Sequence, residues 1–235
     1  MKLVKLLSVV GSFAIASAVS AQVFTFNYTA NSAIPDGDAN GVSFVGNVSG
    51  VTWPAASPNT GYSTAAFMEI VGSPIAYNSD YYATLVNNAT GQKAVLLNRV
   101  GKGEAGFQFG YGDNGMNIKL KDSAANGDIH VYKRVTDPLG GILNGTWQPD
   151  GRDVQPESVT TGDARNRTLS QFNGVNPNGN WTLFVADVAG GQGNGTITTW
   201  GLEFTAVPEP QAFAMAAGLA LMGFGAYRRF AVKKA

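Results

Sequence analysis

Between residues 23 and 206 apolar and polar positions alternate in short runs, broken by clusters of Gly, Pro, Asn and Asp. This is the pattern of half-buried β-strands joined by turns. The strongest runs lie near the C-terminus. Trp181, Leu183 and Val185 share one side of 181–187, while Trp200, Leu202 and Phe204 share one side of 196–204, with Glu203 opposite. Burying two Trp, a Leu, a Val and a Phe contributes roughly 1.5–3 kcal/mol each, so this pair anchors the predicted core. Four glycines between 188 and 195 supply positive φ, and the reading is an antiparallel hairpin.

Upstream, the same period predicts strands over 23–28, 42–51, 65–71, 77–86, 94–100, 116–120 and 128–132, with a strand end at Trp147. Asn87-Asn88-Ala89-Thr90-Gly91 and Asp113-Asn114-Gly115 read as turns. No long stretch carries the 3.6-residue period of an amphipathic helix. The fold class expected is all-β, a jelly-roll-like β-sandwich of about eight strands.

The two ends follow another pattern. Lys2 and Lys5 precede an apolar run over 6–19, and Val19-Ser20-Ala21 offers small residues for cleavage before Gln22. Residues 1–21 therefore read as a secretory signal peptide helix, too short for a membrane span. At the other end Pro208-Glu209-Pro210 precedes an apolar run over 212–227, then Arg228, Arg229, Lys233 and Lys234. That is a short hydrophobic helix stopped by positive charge. The body expected to fold is 22–206, with 207–235 as a tail.

The ends also distort the charge balance. They hold six of the 16 Lys and Arg but one of the 16 acids, which leaves 10 against 15 and a net charge of −5 over 22–206. A body of that sign lacks the basic patch that nucleic-acid binding requires. Cysteine is absent, so neither disulfides nor thiol chemistry enter.

Few residues carry recognisable chemistry. Asp36, Asp38, Asn40 and Gly41 match the opening of a calcium loop, although the twelfth position is Asn47 where an EF-hand has Glu. A polar turn is the competing reading. Gly101-Lys102-Gly103-Glu104-Ala105-Gly106 matches a dinucleotide fingerprint in letters, but no helix pattern follows and a loop is expected. His130 is the single histidine and is read as a strand residue with a hydrogen-bonded ring. Tyr62, Tyr81, Tyr82 and Tyr111 are candidates for exposed stacking surfaces, with core positions as the alternative. Asn-x-Ser/Thr occurs seven times, at Asn27, Asn47, Asn88, Asn144, Asn166, Asn180 and Asn194, where chance gives about two or three. The favoured reading is Asn in turns followed by Thr at strand starts, against glycosylation.

Together these pieces resemble the P domain of proprotein convertases and bacterial secreted proteases. Phe172-Asn173-Gly174, Asn176-Pro177-Asn178-Gly179, Trp181, Asp187, the Gly-rich turn, Trp200 and Phe204 carry most of the match. Ser79-Asp80, Leu96-Leu97 and Gly145 to Gly151 fit in order. The resemblance implies a β-sandwich accessory module, and calcium as a possible cofactor, with Asp36, Asp38, Asn40, Asp80 and Asp187 as candidate ligands. The Asp, His and Ser set of a protease is missing. The tail resembles the PEP-CTERM sorting signal, which implies Sec export, transient inner-membrane anchoring and recognition by an exosortase at Pro208, Glu209 and Pro210 with Arg228 and Arg229. The function expected is a non-enzymatic surface or matrix protein that binds extracellular polysaccharide or a protein partner. The alternatives are a secreted glycan-active enzyme and an accessory domain for a separate protease.

Overall fold

The computed structural model describes residues 22–52, 62–72, 76–206, 218–219 and 221–224. Gln22–Val207 forms one compact unit. The second unit, Met1–Ala21 with Pro208–Ala235, is described only at 218–219 and 221–224, which are helical. The expected signal peptide and most of the sorting tail thus lie outside the described residues. Among those that are described, no helix is long and apolar enough to cross a membrane.

Among the described residues nine strands form the body: β1 (Val23–Ile34), β2 (Val42–Val48), β3 (Tyr62–Gly72), β4 (Tyr81–Asn87), β5 (Lys93–Asn98), β6 (Met116–Lys121), β7 (Leu143–Trp147), β8 (Gly179–Asp187) and β9 (Gly195–Ala206). They make a five-stranded sheet in the order β1-β9-β3-β6-β7 and a four-stranded sheet in the order β2-β8-β4-β5. Only β6 and β7 pair in parallel. The all-β sandwich expected from alternation is present.

The expected hairpin is not. β8 and β9 lie in different sheets, so the Gly-rich segment between them crosses the sandwich. Each strand needs cover for a face of bulky side chains, and the two faces supply it to each other. Trp181 from β8 and Phe204 from β9 pack at 5.5 Å between ring centroids, and Phe172 closes on Trp181 at 4.8 Å. Leu183, Val185, Trp200 and Leu202 are buried with them, while Glu203 points out and pairs with Lys119 at 2.7 Å.

Local sequence explains the entry to β8. Asn178 donates to and accepts from the backbone of Val51, at 2.8 and 3.0 Å, and Pro177 offers its carbonyl to the Trp181 indole at 2.8 Å. The Asn-Pro-Asn-Gly run therefore satisfies polar groups that strand ladders leave over. β1 runs six residues beyond its predicted end because Asn31, at φ 46°, forms a bulge that restores the register with β9. The strand expected over 128–132 is instead a 3-10 segment, Ile129–Arg134, whose start is capped by the Asp128 carboxylate on the His130 amide. Such a local side-chain bond competes with strand pairing.

Candidate functional site

Three groups of polar side chains gather within the sandwich, and each tests a reading of the sequence. At one end the β1–β2 loop, the 3-10 turn at Asn78–Asp80 and the end of β8 meet. Register places Tyr81 opposite Asp187, and the Val188 amide bonds the Asp80 carbonyl at 2.8 Å. Asp36 accepts the Gly191 amide at 2.9 Å, and Asp187 accepts that of Ala189 at 3.1 Å. Asp80 takes the Ser79 hydroxyl at 3.1 Å and stands 3.8 Å from Arg99. One carboxylate oxygen of Asp80 and one of Asp187 are buried without a partner, as is the Tyr81 hydroxyl. Burial, and then the charge of Asp187, push the Asp80 carboxyl up to about 6. Burial raises Asp187 as well.

The calcium-loop arrangement does not form. Asp38 bonds the Asn40 amide and side chain, both at 2.9 Å, and Asn47 sits on the outer side of β2. Of the five candidate ligands, Asp36, Asp80 and Asp187 come together; Asp38 and Asn40 serve their own turn. Among the described residues no three His, Asp or Glu side chains are arranged to hold a metal ion. Calcium takes six to eight oxygens, and the two free carboxylate oxygens here are a partial set.

The second group surrounds His130. Its Nδ1 lies 2.7 Å from Asp150 and its Nε2 lies 3.0 Å from the Lys102 carbonyl. Both ring nitrogens face oxygen atoms. Asp150 also receives Arg152 at 3.2 Å and the Asn98 amide at 3.2 Å, while Arg152 reaches Asp128 at 2.8 Å. His130 and Asp150 are completely buried, and this network ties four chain segments together. Its ring is hydrogen-bonded as expected, but within a 3-10 turn rather than a strand. The 101–106 run forms turns, as its lack of a following helix predicts.

The third group is open to solvent. Across the outer face of the four-stranded sheet runs a groove of about 330 Å³ lined by Tyr82, Phe184, Lys93, Val188, Ala39 and the 153–157 segment. That volume lies within the usual range of small-ligand sites, roughly 300–1,000 Å³. Tyr82 and Phe184 meet edge to face with centroids 6.3 Å apart. Lys93 bonds Asp153 at 2.7 Å, and Arg167 approaches the same carboxylate at 3.4 Å. The side chains of Gln155 and Glu157 are exposed on the rim. Burial raises the Tyr82 phenol, with the charge of Asp153 next, so it stays a hydrogen-bond donor at neutral pH.

This groove corrects the stacking candidates. Tyr62, Tyr81 and Tyr111 are buried in the core, and Tyr82 alone of the four reaches an open surface. Its partner Phe184 is not among the stacking candidates that the sequence offers. The signal was present: Phe184 falls on the side of β8 opposite Trp181, Leu183 and Val185, an aromatic where alternation calls for a polar residue. The fold-signature residues Trp181, Asp187, Trp200 and Phe204 are all buried. Pro208, Glu209, Pro210, Arg228 and Arg229 lie outside the described residues.

Comparison with known proteins bears on this same region. The family model of the proprotein convertase P-domain matches residues 148–204. That span contains Asp150, the groove wall at 153–157 and all of the fold-signature residues. The crystal structure of a serine protease of Aeromonas sobria aligns with 16% identity and a TM-score of 0.41, over 80% of this chain and 27% of that one. The chain thus spans about a quarter of that protein's length. No curated protein matches the chain.

Proposed function

We propose that this chain is a non-enzymatic, exported β-sandwich of jelly-roll-like, P-domain type that binds extracellular polysaccharide through the outer groove of its four-stranded sheet. The carrying observation is the groove's composition. Tyr82 and Phe184 offer apolar ring faces, and the charged and amide side chains beside them can bond sugar hydroxyls. Of the two acids on the wall, Asp153 is engaged by Lys93 and Arg167. That pairing supports binding over hydrolysis, because a glycosidase needs two available carboxyls at a defined separation. The leader exports the chain, and the tail holds it at the inner membrane until an exosortase acts near Pro208, Glu209 and Pro210, leaving it at the cell surface or in the matrix.

Affinity electrophoresis of residues 22–206 in gels carrying the producing strain's own polysaccharide tests this, with calcium and with EDTA. Retardation of the wild type, weakened about tenfold in Tyr82→Ala and Phe184→Ala, is the expected result, each ring then supplying about 1.4 kcal/mol. Equal migration with and without polysaccharide overturns it. Retardation lost in EDTA, and lost likewise in Asp187→Asn, would assign a calcium ion to the unpartnered oxygens of Asp80 and Asp187.

The P-domain match favours a second reading, an accessory domain serving a separate secreted protease. Its mark is a shortened half-life of that protease in a strain lacking this chain.

A further inference from the structure

The seven Asn-x-Ser/Thr sites are not placed as turn chemistry requires. Only Asn88, Asn166 and Asn194 lie in turns or loops; Asn27, Asn47, Asn144 and Asn180 lie within strands. All seven asparagines are exposed. Among the described residues the fully buried asparagines, Asn78, Asn87 and Asn98, all lack the triplet.

Their distribution over the sheets is more selective still. Four strands end a sheet: β1 and β7 in one, β2 and β5 in the other. Asn27 lies on β1, Asn144 on β7 and Asn47 on β2. The fourth edge, β5, has no triplet and is already covered by chain. Val95 donates to the Arg167 carbonyl at 2.8 Å, and Asp150 and Gly151 donate to β5 carbonyls at 3.1 and 3.0 Å. Three of the four edges therefore carry one site each and are met only by single side chains, Tyr28 donating to the Asn47 carbonyl at 2.8 Å and Asn126 to the Thr146 carbonyl at 3.0 Å, while the edge covered by backbone carries none. Among the five interior strands only β8 has one, Asn180, at its second residue.

An open edge presents unpaired amides and carbonyls to any other chain, and proteins block such edges with charge, proline, bulges or cover. β1 carries one bulge, at Asn31, while β2 and β7 run in unbroken register, and Val23–Ile34, Val42–Val48 and Leu143–Trp147 contain no proline, Lys, Arg, Asp or Glu. A bulky hydrophilic group on each would close them by volume. We infer that the exposed triplets, foremost Asn27, Asn47 and Asn144, are acceptors of N-linked glycan that guard the open sheet edges.

The step balances with a lipid-diphosphate-linked oligosaccharide as donor. The asparagine Nδ2 forms a bond to the anomeric carbon, the bond from that carbon to the diphosphate oxygen breaks, and Nδ2 gives up one proton as lipid diphosphate leaves. One amide hydrogen remains on Nδ2 as a donor, as in the 2.8 Å bond that Asn47 makes to Asn180. The inference rests on export, since donor and chain must meet beyond the cytoplasm.

The test is intact-mass and peptide mass spectrometry of the full chain expressed in its producing strain, beside Thr29→Ala, Ser49→Ala and Thr146→Ala. Each substitution spares the asparagine and destroys one triplet. Sugar-sized mass increments are expected at Asn27, Asn47 and Asn144, and each should vanish only in its own variant. Unmodified asparagines on a chain that begins at Gln22 overturn the acceptor role and leave export standing. A chain still beginning at Met1 in the cytoplasm overturns both.

Discussion

At the scale of single residues the buried acid pair makes the sharpest forecast. Asp80 is 4% exposed and its carboxyl sits near 6 rather than its ordinary 3.8. The folded state therefore binds this proton more tightly than the unfolded chain does. Its contribution is fully favourable below about pH 4 and is lost as pH rises through about 6. Two units correspond to roughly 2–3 kcal/mol at most. Asp187→Asn removes the neighbouring charge and replaces an unpartnered oxygen with a donor, while its other oxygen still accepts the Ala189 amide. In EDTA, the melting temperature of the wild type should fall between pH 4.5 and 7 by about 5 °C more than that of the variant. Parallel curves would refute the pair's coupling. Composition made these acids visible as candidates, but their roles depended on contacts. Asp36 and Asp38 look alike in sequence, yet Asp36 reaches across 155 residues to Gly191 while Asp38 bonds a neighbour two residues away. The tyrosines failed for the same reason. A phenol reads equally well as core or surface until the opposite sheet is in place.

At the scale of elements, alternation fixed which side of each strand is buried and left open which strand it lies beside. β8 and β9 each follow the period-two pattern, and that pattern is the same in a hairpin and in a cross-sheet connection. The length of the connection was the readable clue: hairpin loops usually have 2–5 residues, and 188–194 is longer. The consequence is that β9 is an interior strand, between β1 and β3, and must tolerate close neighbours on both sides. Gly201 marks the tightest point. A Cβ there would stand 2.3 Å from the Phe26 carbonyl oxygen and 2.1 Å from the Phe67 ring. The ring can turn, but the carbonyl belongs to a ladder and cannot. Gly201→Ala should cost about 1–3 kcal/mol, lowering the melting temperature by several degrees. Gly190→Ala is the control, since its Cβ would meet only the Gly37 Cα at an ordinary 3.6 Å. Equal melting temperatures in the two variants would show that β9 is free to shift.

For the whole molecule the question is whether binding and delivery are separable. Among the described residues the core cluster draws on both sheets and lies between Phe24 and Ala206. His130, Asp150, Arg152 and Asp128 lock the loops at one place, and Asp36, Asp80 and Asp187 join them at another, all within the same unit. Residues 22–206 should therefore fold as a monomer with one cooperative transition, and retain any affinity the groove has for polysaccharide. The tail should act on location alone. In the full chain, replacing Pro208, Glu209 and Pro210 together with alanine should leave the melting temperature and the binding of the detergent-extracted protein unchanged, while shifting it from the surface fraction to the inner membrane. Fractionation of the producing strain, with the gel assay on each fraction, reads both properties at once. Loss of binding with the altered tail would join the two halves into one functional unit, and unchanged location would remove Pro208, Glu209 and Pro210 from sorting.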